Sequence, residues 1–219
     1  MHPVYVHIKK ELSPFYAEEE ASAMAKWISS DILHLSTLEL YTGKDMNFST
    51  KEWAELEDIL RRLKQREPLQ YILQEASFCG MSFHVEQGVL IPRPETEELV
   101  EWIVSDYREA EQVRILDIGT GSGCIPVSLA QLLPEAQVSS CDVSAEALRI
   151  ATTNVKRYGD KVTLFCADIL KEELPEFQVD VLVSNPPYIT ESERTDMEAN
   201  VLDWEPELAL FVPDSDPLR

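Results

Sequence analysis

An α/β domain with an open parallel sheet, preceded by a small helical bundle and a β-hairpin linker, is what this sequence predicts. Three observations predict it. Four short apolar runs, at 114–118, 137–141, 162–166 and 179–183, are separated by helical patterns, the order of a parallel sheet built from βαβ units. Each run ends at a turn carrying glycine, aspartate or asparagine, where open α/β sheets hold their ligands. Residues up to about 70 show only helical periodicity.

Taken in order, residues 17–33 carry Ala21, Met24, Ala25, Ile28, Ile32 and Leu33 at close to a 3.6 period, which predicts one helix. Ser49-Thr50-Lys51-Glu52 is a capping box. The helix after it is expected to bury Trp53, Leu56, Ile59, Leu60 and Leu63, and Pro68 ends it. Residues 76–85 alternate like a strand pair, Gly88 marks a turn, and Val89-Leu90-Ile91 reads as another strand. Pro92-Arg93-Pro94-Glu95-Thr96-Glu97 is a stiff loop, since proline fixes φ. It opens a helix that buries Leu99, Val100, Ile103, Val104 and Tyr107.

The strand ends carry the chemistry. Asp117-Ile118-Gly119-Thr120-Gly121-Ser122-Gly123 is a glycine-rich turn entering a helix at Cys124. Glycines permit positive φ and let backbone approach a ligand, and the helix start offers free N–H groups. Cys124 stands where a dinucleotide fingerprint wants its third glycine, which argues against NAD. Asp142 closes the second strand and can accept from two ribose hydroxyls. Asp168 closes the third and can accept from an adenine amino group, with Ile169 packing on the ring. After the fourth, which reads as buried, comes Asn185-Pro186-Pro187-Tyr188. The Asn185 amide oxygen and the Pro186 carbonyl are two acceptors, and Tyr188 offers a flat wall. Together they suit a planar NH2 group whose lone pair must be aimed outward. Singly, each aspartate fits a helix cap or turn and the tetrapeptide fits a proline turn. The series on successive strands resembles the Rossmann-like S-adenosylmethionine (AdoMet)-dependent methyltransferases, with an amino-methylating signature on the fourth strand.

Composition narrows the partners. The formal net charge is −21, with 40 acidic and 19 basic residues, the excess falling mostly after Gly80. That balance repels a phosphate backbone and suits a basic protein partner. No apolar run reaches the roughly 18 residues of a membrane span, and no leader pattern opens the chain. Cys79, Cys124, Cys141 and Cys166 form no CxxC pair; Cys141 and Cys166 fall in strands expected to be buried, so a reducing cytoplasm is expected. His2, His7, His34 and His84 have no metal spacing, and no metal is expected.

With Glu67-Pro68-Leu69-Gln70-Tyr71-Ile72-Leu73, the Ile91–Glu97 stretch, Asn185-Pro186-Pro187-Tyr188-Ile189 and Trp204-Glu205-Pro206-Glu207-Leu208-Ala209-Leu210-Phe211, the sequence resembles the HemK/PrmC family of peptide chain release factor glutamine N5-methyltransferases. The resemblance spans nearly the whole chain. It implies a helical substrate-docking domain at 1–73, a β-hairpin linker at 74–92 and a Rossmann-like catalytic domain from 93 to 219. It implies AdoMet held by Asp117, Gly119, Thr120, Gly121, Ser122, Gly123, Asp142, Asp168, Ile169 and Asn185. The glutamine amide is expected on Asn185, Pro186, Pro187 and Tyr188, with Arg93 and Glu95 bordering the pocket. Bacterial class 1 release factors, through their Gly-Gly-Gln loop, are the implied partner, with no direct nucleic acid and no membrane.

The family pattern has about seven strands where this sequence supplies four, and Ser215-Asp216-Pro217 stands where Asp-Gly is frequent. The expectation is therefore an incomplete catalytic domain with complete cofactor motifs. Two rivals share these motifs: an amino methyltransferase acting on DNA adenine or RNA guanine, and an inactive module that only binds a partner.

Overall fold

A computed structural model describes residues 1–43, 48–171, 178–197 and 199–215. Asp216 and Pro217 of the departure noted above lie outside the described residues. The chain divides into two compact units, Met1–Ile72 and Leu73–Arg219.

The first unit is helical: α1 Pro3–Leu12, α2 Glu18–Trp27, α3 Thr37–Thr42, α4 Thr50–Leu63 and α5 Leu69–Leu73, which runs to its boundary. Val4, Ile8 and Leu12 of α1 and Ala21 and Ala25 of α2 are buried, as are Leu56, Ile59, Leu60 and Leu63 of α4. The cap on α4 is reciprocal: Ser49 Oγ accepts from the Glu52 N–H while the Glu52 carboxylate accepts from the Ser49 N–H. Two expectations fail here. The helix over 17–33 breaks into α2 and a π-helical turn, Ile28–Ile32. The Ser29 and Ser30 hydroxyls donate to the Ala25 and Trp27 carbonyls, competing with the backbone ladder at the point where it widens. Trp53 is exposed at the rim, packed edge-on against Phe48 and His7.

The second unit opens with an antiparallel hairpin, β1 Ala76–Phe78 and β2 Met81–Phe83. After α6 (Pro94–Tyr107), strands and helices alternate: β3 Arg114–Ile118, α7 Cys124–Leu132, β4 Gln137–Asp142, α8 Ala145–Arg157, β5 Val162–Cys166 and β6 Val181–Ser184. All three strand pairings are parallel, in the order β5-β4-β3-β6. The order reverses at β3, so a crevice opens outside the carboxyl ends of β3 and β6. Phe78 and Phe83 join Val100, Ile115, Val127, Leu129, Val138 and Val183 in one core. Leu99 and Tyr107 are only half-buried against it.

Beyond β6 the chain makes an excursion: β7 Ile189–Thr190, a 3-10 turn over Glu191–Asp196, α9 Ala199–Trp204, α10 Glu207–Leu210 and β8 Phe211–Val212. It closes where β7 and β8 pair in parallel.

Three further expectations are corrected. Val89-Leu90-Ile91 is not a strand: Pro92 follows, and the Ile91 N–H donates to the Glu205 carboxylate at 3.2 Å rather than to another strand. The run at 179–183 is not buried throughout; β6 is an edge among the described strands, and Leu182 is 62% exposed. Cys166 is exposed because β5 forms the opposite edge.

Candidate active site

Tight packing fixes the glycine loop from below. Every residue of α7 from Cys124 to Ala130 is buried, so the helix start cannot shift. Gly119 and Thr120 both donate their N–H groups to the Cys141 carbonyl, locking the loop to the end of β4. Gly119, Gly121 and Gly123 have φ of 78°, 53° and 81°, a region that disfavours side chains. Asn154 braces the loop from the side. Its amide nitrogen donates to the Ser122 carbonyl at 2.8 Å and the His84 carbonyl at 2.9 Å, and its oxygen accepts from the His84 N–H. Sequence reasoning did not single out Asn154, whose partners His84 and Ser122 lie 70 and 32 residues away in the chain.

A cavity of about 310 Å³ lies over this loop. Gly119, Thr120, Gly121, Ser122, Asp142, Asp168, Ile169, Asn185, Pro186, Pro187 and Arg93 all line it. One cavity thus brings together the predicted residues of all four strand ends. Its volume lies in the range of small-molecule sites. Gly123 lies off the lining, packed against Ala151. Asp117 sits beneath the loop, fully buried, and accepts from the Ser140 hydroxyl at 2.6 Å. Burial pushes its carboxyl up to about 7, against the pull of that hydrogen bond. Two predicted wall residues stand apart. Tyr188, carried past two prolines into β7, is 72% exposed and off the lining. Glu95 is exposed on the first turn of α6 and also off it.

The chain's own atoms fit an AdoMet molecule. A Cβ built on Gly119 or Gly121 meets nothing within 4 Å, so bare backbone faces open space there. The Thr120 and Ser122 hydroxyls are buried, and both residues line the cavity. Asp142 is oriented by two backbone donors, Gly121 N–H on Oδ2 and Ser144 N–H on Oδ1, each at 2.9 Å. Each oxygen keeps a further lone pair for a ribose hydroxyl. The Asp168 carboxylate accepts from Leu170 N–H at 3.1 Å and pairs with Lys171 at 2.8 Å.

At the other side, the Ser184 hydroxyl donates to the Ile118 carbonyl at 2.7 Å, seating Asn185 beside the glycine loop. The Asn185 amide nitrogen donates to the Thr96 hydroxyl at 3.3 Å. Glu205, buried on the excursion after β6, takes the Arg93 guanidinium at 2.5 Å. Neither Thr96 nor Glu205 was singled out as a site residue. Both sit inside the quoted motifs, and that was the available signal. Burial pushes the Cys124 thiol up to about 12 and those of Cys79 and Cys141 to about 11.

A parallel sheet whose crevice carries a bare glycine loop, an aspartate at the next strand end and Asn-Pro-Pro fits the AdoMet-dependent methyltransferase class. The methyltransferase small domain family matches residues 95–203, and the PrmC N-terminal domain family matches residues 5–73. A release factor glutamine methyltransferase of Bacteroides thetaiotaomicron is 50% identical over 220 residues, covering 100% of this chain and 78% of its own length. One from Flavobacterium psychrophilum is 40% identical over 210 residues, 94% of this chain and 74% of the relative. Among solved structures, the hMettl16 catalytic domain in complex with MAT2A 3'UTR hairpin 6 overlays with a TM-score of 0.48 at 17% identity, over 78% of this chain and 60% of that one. The chain belongs to the release factor glutamine methyltransferase family.

Proposed function

We propose that this protein transfers a methyl group from AdoMet to the side-chain amide nitrogen of the glutamine in the Gly-Gly-Gln loop of bacterial class 1 release factors. The observation that carries the proposal is the single cavity that joins the glycine loop and Asp142 to Asn185 and Pro186. The likeness to release factor glutamine methyltransferases, over 100% of this chain and 78% of the Bacteroides thetaiotaomicron relative, supports the substrate. We assign substrate docking to residues 1–73, the linker to 74–92 and methyl transfer to 93–219. The four free cysteines agree with a cytoplasmic setting.

An amide nitrogen is a poor nucleophile because its lone pair is delocalised into the carbonyl. Bound AdoMet supplies a methyl group activated by its sulfonium. The protein's task is to align nitrogen with that methyl, and such positioning is worth on the order of 7–11 kcal/mol in favourable cases. Asn185 Oδ1 and the Pro186 carbonyl accept the two amide N–H bonds and aim the lone pair outward, away from these acceptors and toward the methyl group. These bonds strengthen as positive charge develops on nitrogen, which stabilises the transition state selectively. The surplus proton leaves to water, so no strong general base is required.

The test incubates the chain with labelled AdoMet and, separately, unmodified release factor, duplex DNA and ribosomal RNA. Label on the release factor is expected. Label on either nucleic acid and none on the release factor would overturn the substrate assignment.

A further inference from the structure

We propose that Thr96, held in place by Glu205, is a positioning residue that holds the Asn185 side-chain amide in the orientation the substrate meets. The inference rests on Asn185 as the group that holds the glutamine amide, and it names what makes Asn185 competent. An asparagine side chain ends in a broad, roughly two-fold torsion. Turned one way it offers an acceptor to the cavity; turned the other way it offers a donor, which repels an incoming NH2 group. Only the first arrangement works. The Asn185 amide nitrogen donates to Thr96 Oγ at 3.3 Å. With the nitrogen engaged there, the oxygen is left to the cavity, which both residues line.

Thr96 comes from a different part of the chain, 89 residues earlier, on the first turn of α6. That turn needs a fixed position for the contact to matter, and Glu205 provides one. Its buried carboxylate takes both the Ile91 N–H and the guanidinium of Arg93, the residue that caps α6. The Thr96 N–H in turn donates to the Arg93 carbonyl at 3.0 Å. A carboxylate with so little exposure is costly unless paired, so the arrangement has few alternatives. The path therefore runs from Glu205 to Arg93, to Thr96, to Asn185.

The experiment compares Thr96→Val, which keeps the shape without the hydroxyl, with Thr96→Ser, which keeps the hydroxyl. The first readout needs no turnover. The Asn185 side-chain amide signal in a nitrogen-15 NMR spectrum is identified by its loss in Asn185→Asp. Its proton exchange is expected to quicken about five- to tenfold in Thr96→Val, the loss of one hydrogen bond, and to stay near wild type in Thr96→Ser. The second readout is methyl transfer to release factor. Thr96→Val should lower kcat about 100-fold, the scale of a misplaced reacting group, with AdoMet affinity unchanged, and Thr96→Ser should restore it. Wild-type exchange in Thr96→Val overturns the proposal, as does a kcat loss that serine fails to restore. If Asn185→Ala turns over normally, the reading of Asn185 falls, and this inference with it. If Asn185→Ala is inactive while Thr96→Val is fully active, only the role of Thr96 falls. Glu205→Gln approaches from the other end, should Thr96→Val not fold. It should quicken the same exchange with AdoMet affinity unchanged, and unaltered exchange would remove Glu205 from the path.

Discussion

The glycine loop after β3 and the Asn185 turn after β6 face each other across one cavity, yet they are held in opposite ways. The loop is organised mostly from neighbouring strand ends. Gly119 and Thr120 bond the Cys141 carbonyl, Gly121 bonds Asp142, and Gly123 bonds Thr120. Asn185 depends on distant chain: its amide is held by Thr96, and the cavity lip beside it by Glu205 reaching Ile91 and Arg93. The half we assign to the cofactor is thus fixed largely by backbone bonds to the end of the adjacent strand β4. The half we assign to the substrate draws its support from α6 and from the excursion after β6. Cofactor binding and methyl transfer should accordingly respond to different mutations.

The largest expected effect is on the substrate side. Asn185→Ala should lower methyl transfer by about 100- to 1,000-fold, the usual loss for one transition-state hydrogen-bond partner, while calorimetry finds AdoMet affinity little changed. Near-normal turnover would erase the distinction between the two halves. Asp142→Ala should do the reverse. Losing charge-assisted bonds to two hydroxyls should weaken AdoMet by roughly 10- to 100-fold; unchanged affinity would take Asp142 off the ribose.

A smaller effect tests the rigidity of the loop itself. Gly123→Ala would place a Cβ 3.2 Å from the Ala151 Cβ, at a φ of +81°. Denaturant midpoints should show a loss of about 1–3 kcal/mol, and a neutral result would mean the loop can move. Asp117 gives the finest test. Its carboxyl is raised to about 7 by burial, so its neutral form stabilises the fold below roughly pH 4. That contribution is lost as pH climbs through about 7. Asp117→Asn stays neutral throughout. The melting temperature of the variant relative to wild type should therefore rise between those two pH values, and a constant difference would contradict the buried charge.

The same contrast explains what was legible in the sequence. The four strand ends, the glycine turn and the α4 capping box are legible because residues close in sequence mark them by type and spacing. Thr96, Asn154 and Glu205 lay outside that reach, since their partners are brought together only by the fold. Where spacing misled, tertiary context had overridden it. Val89-Leu90-Ile91 has strand residues but gives an N–H to Glu205. Leu182 reads as core but stands on an edge strand. Ser29 and Ser30 turn a periodic helix into a π-helical end.

The most direct measurement is the position of the added methyl, read by tandem mass spectrometry on release factor treated with wild-type protein and AdoMet. A methyl on the side-chain nitrogen of the Gly-Gly-Gln glutamine is the predicted result. A methyl on any other residue or atom would contradict the account of Asn185 and Pro186 as the grip on a glutamine amide.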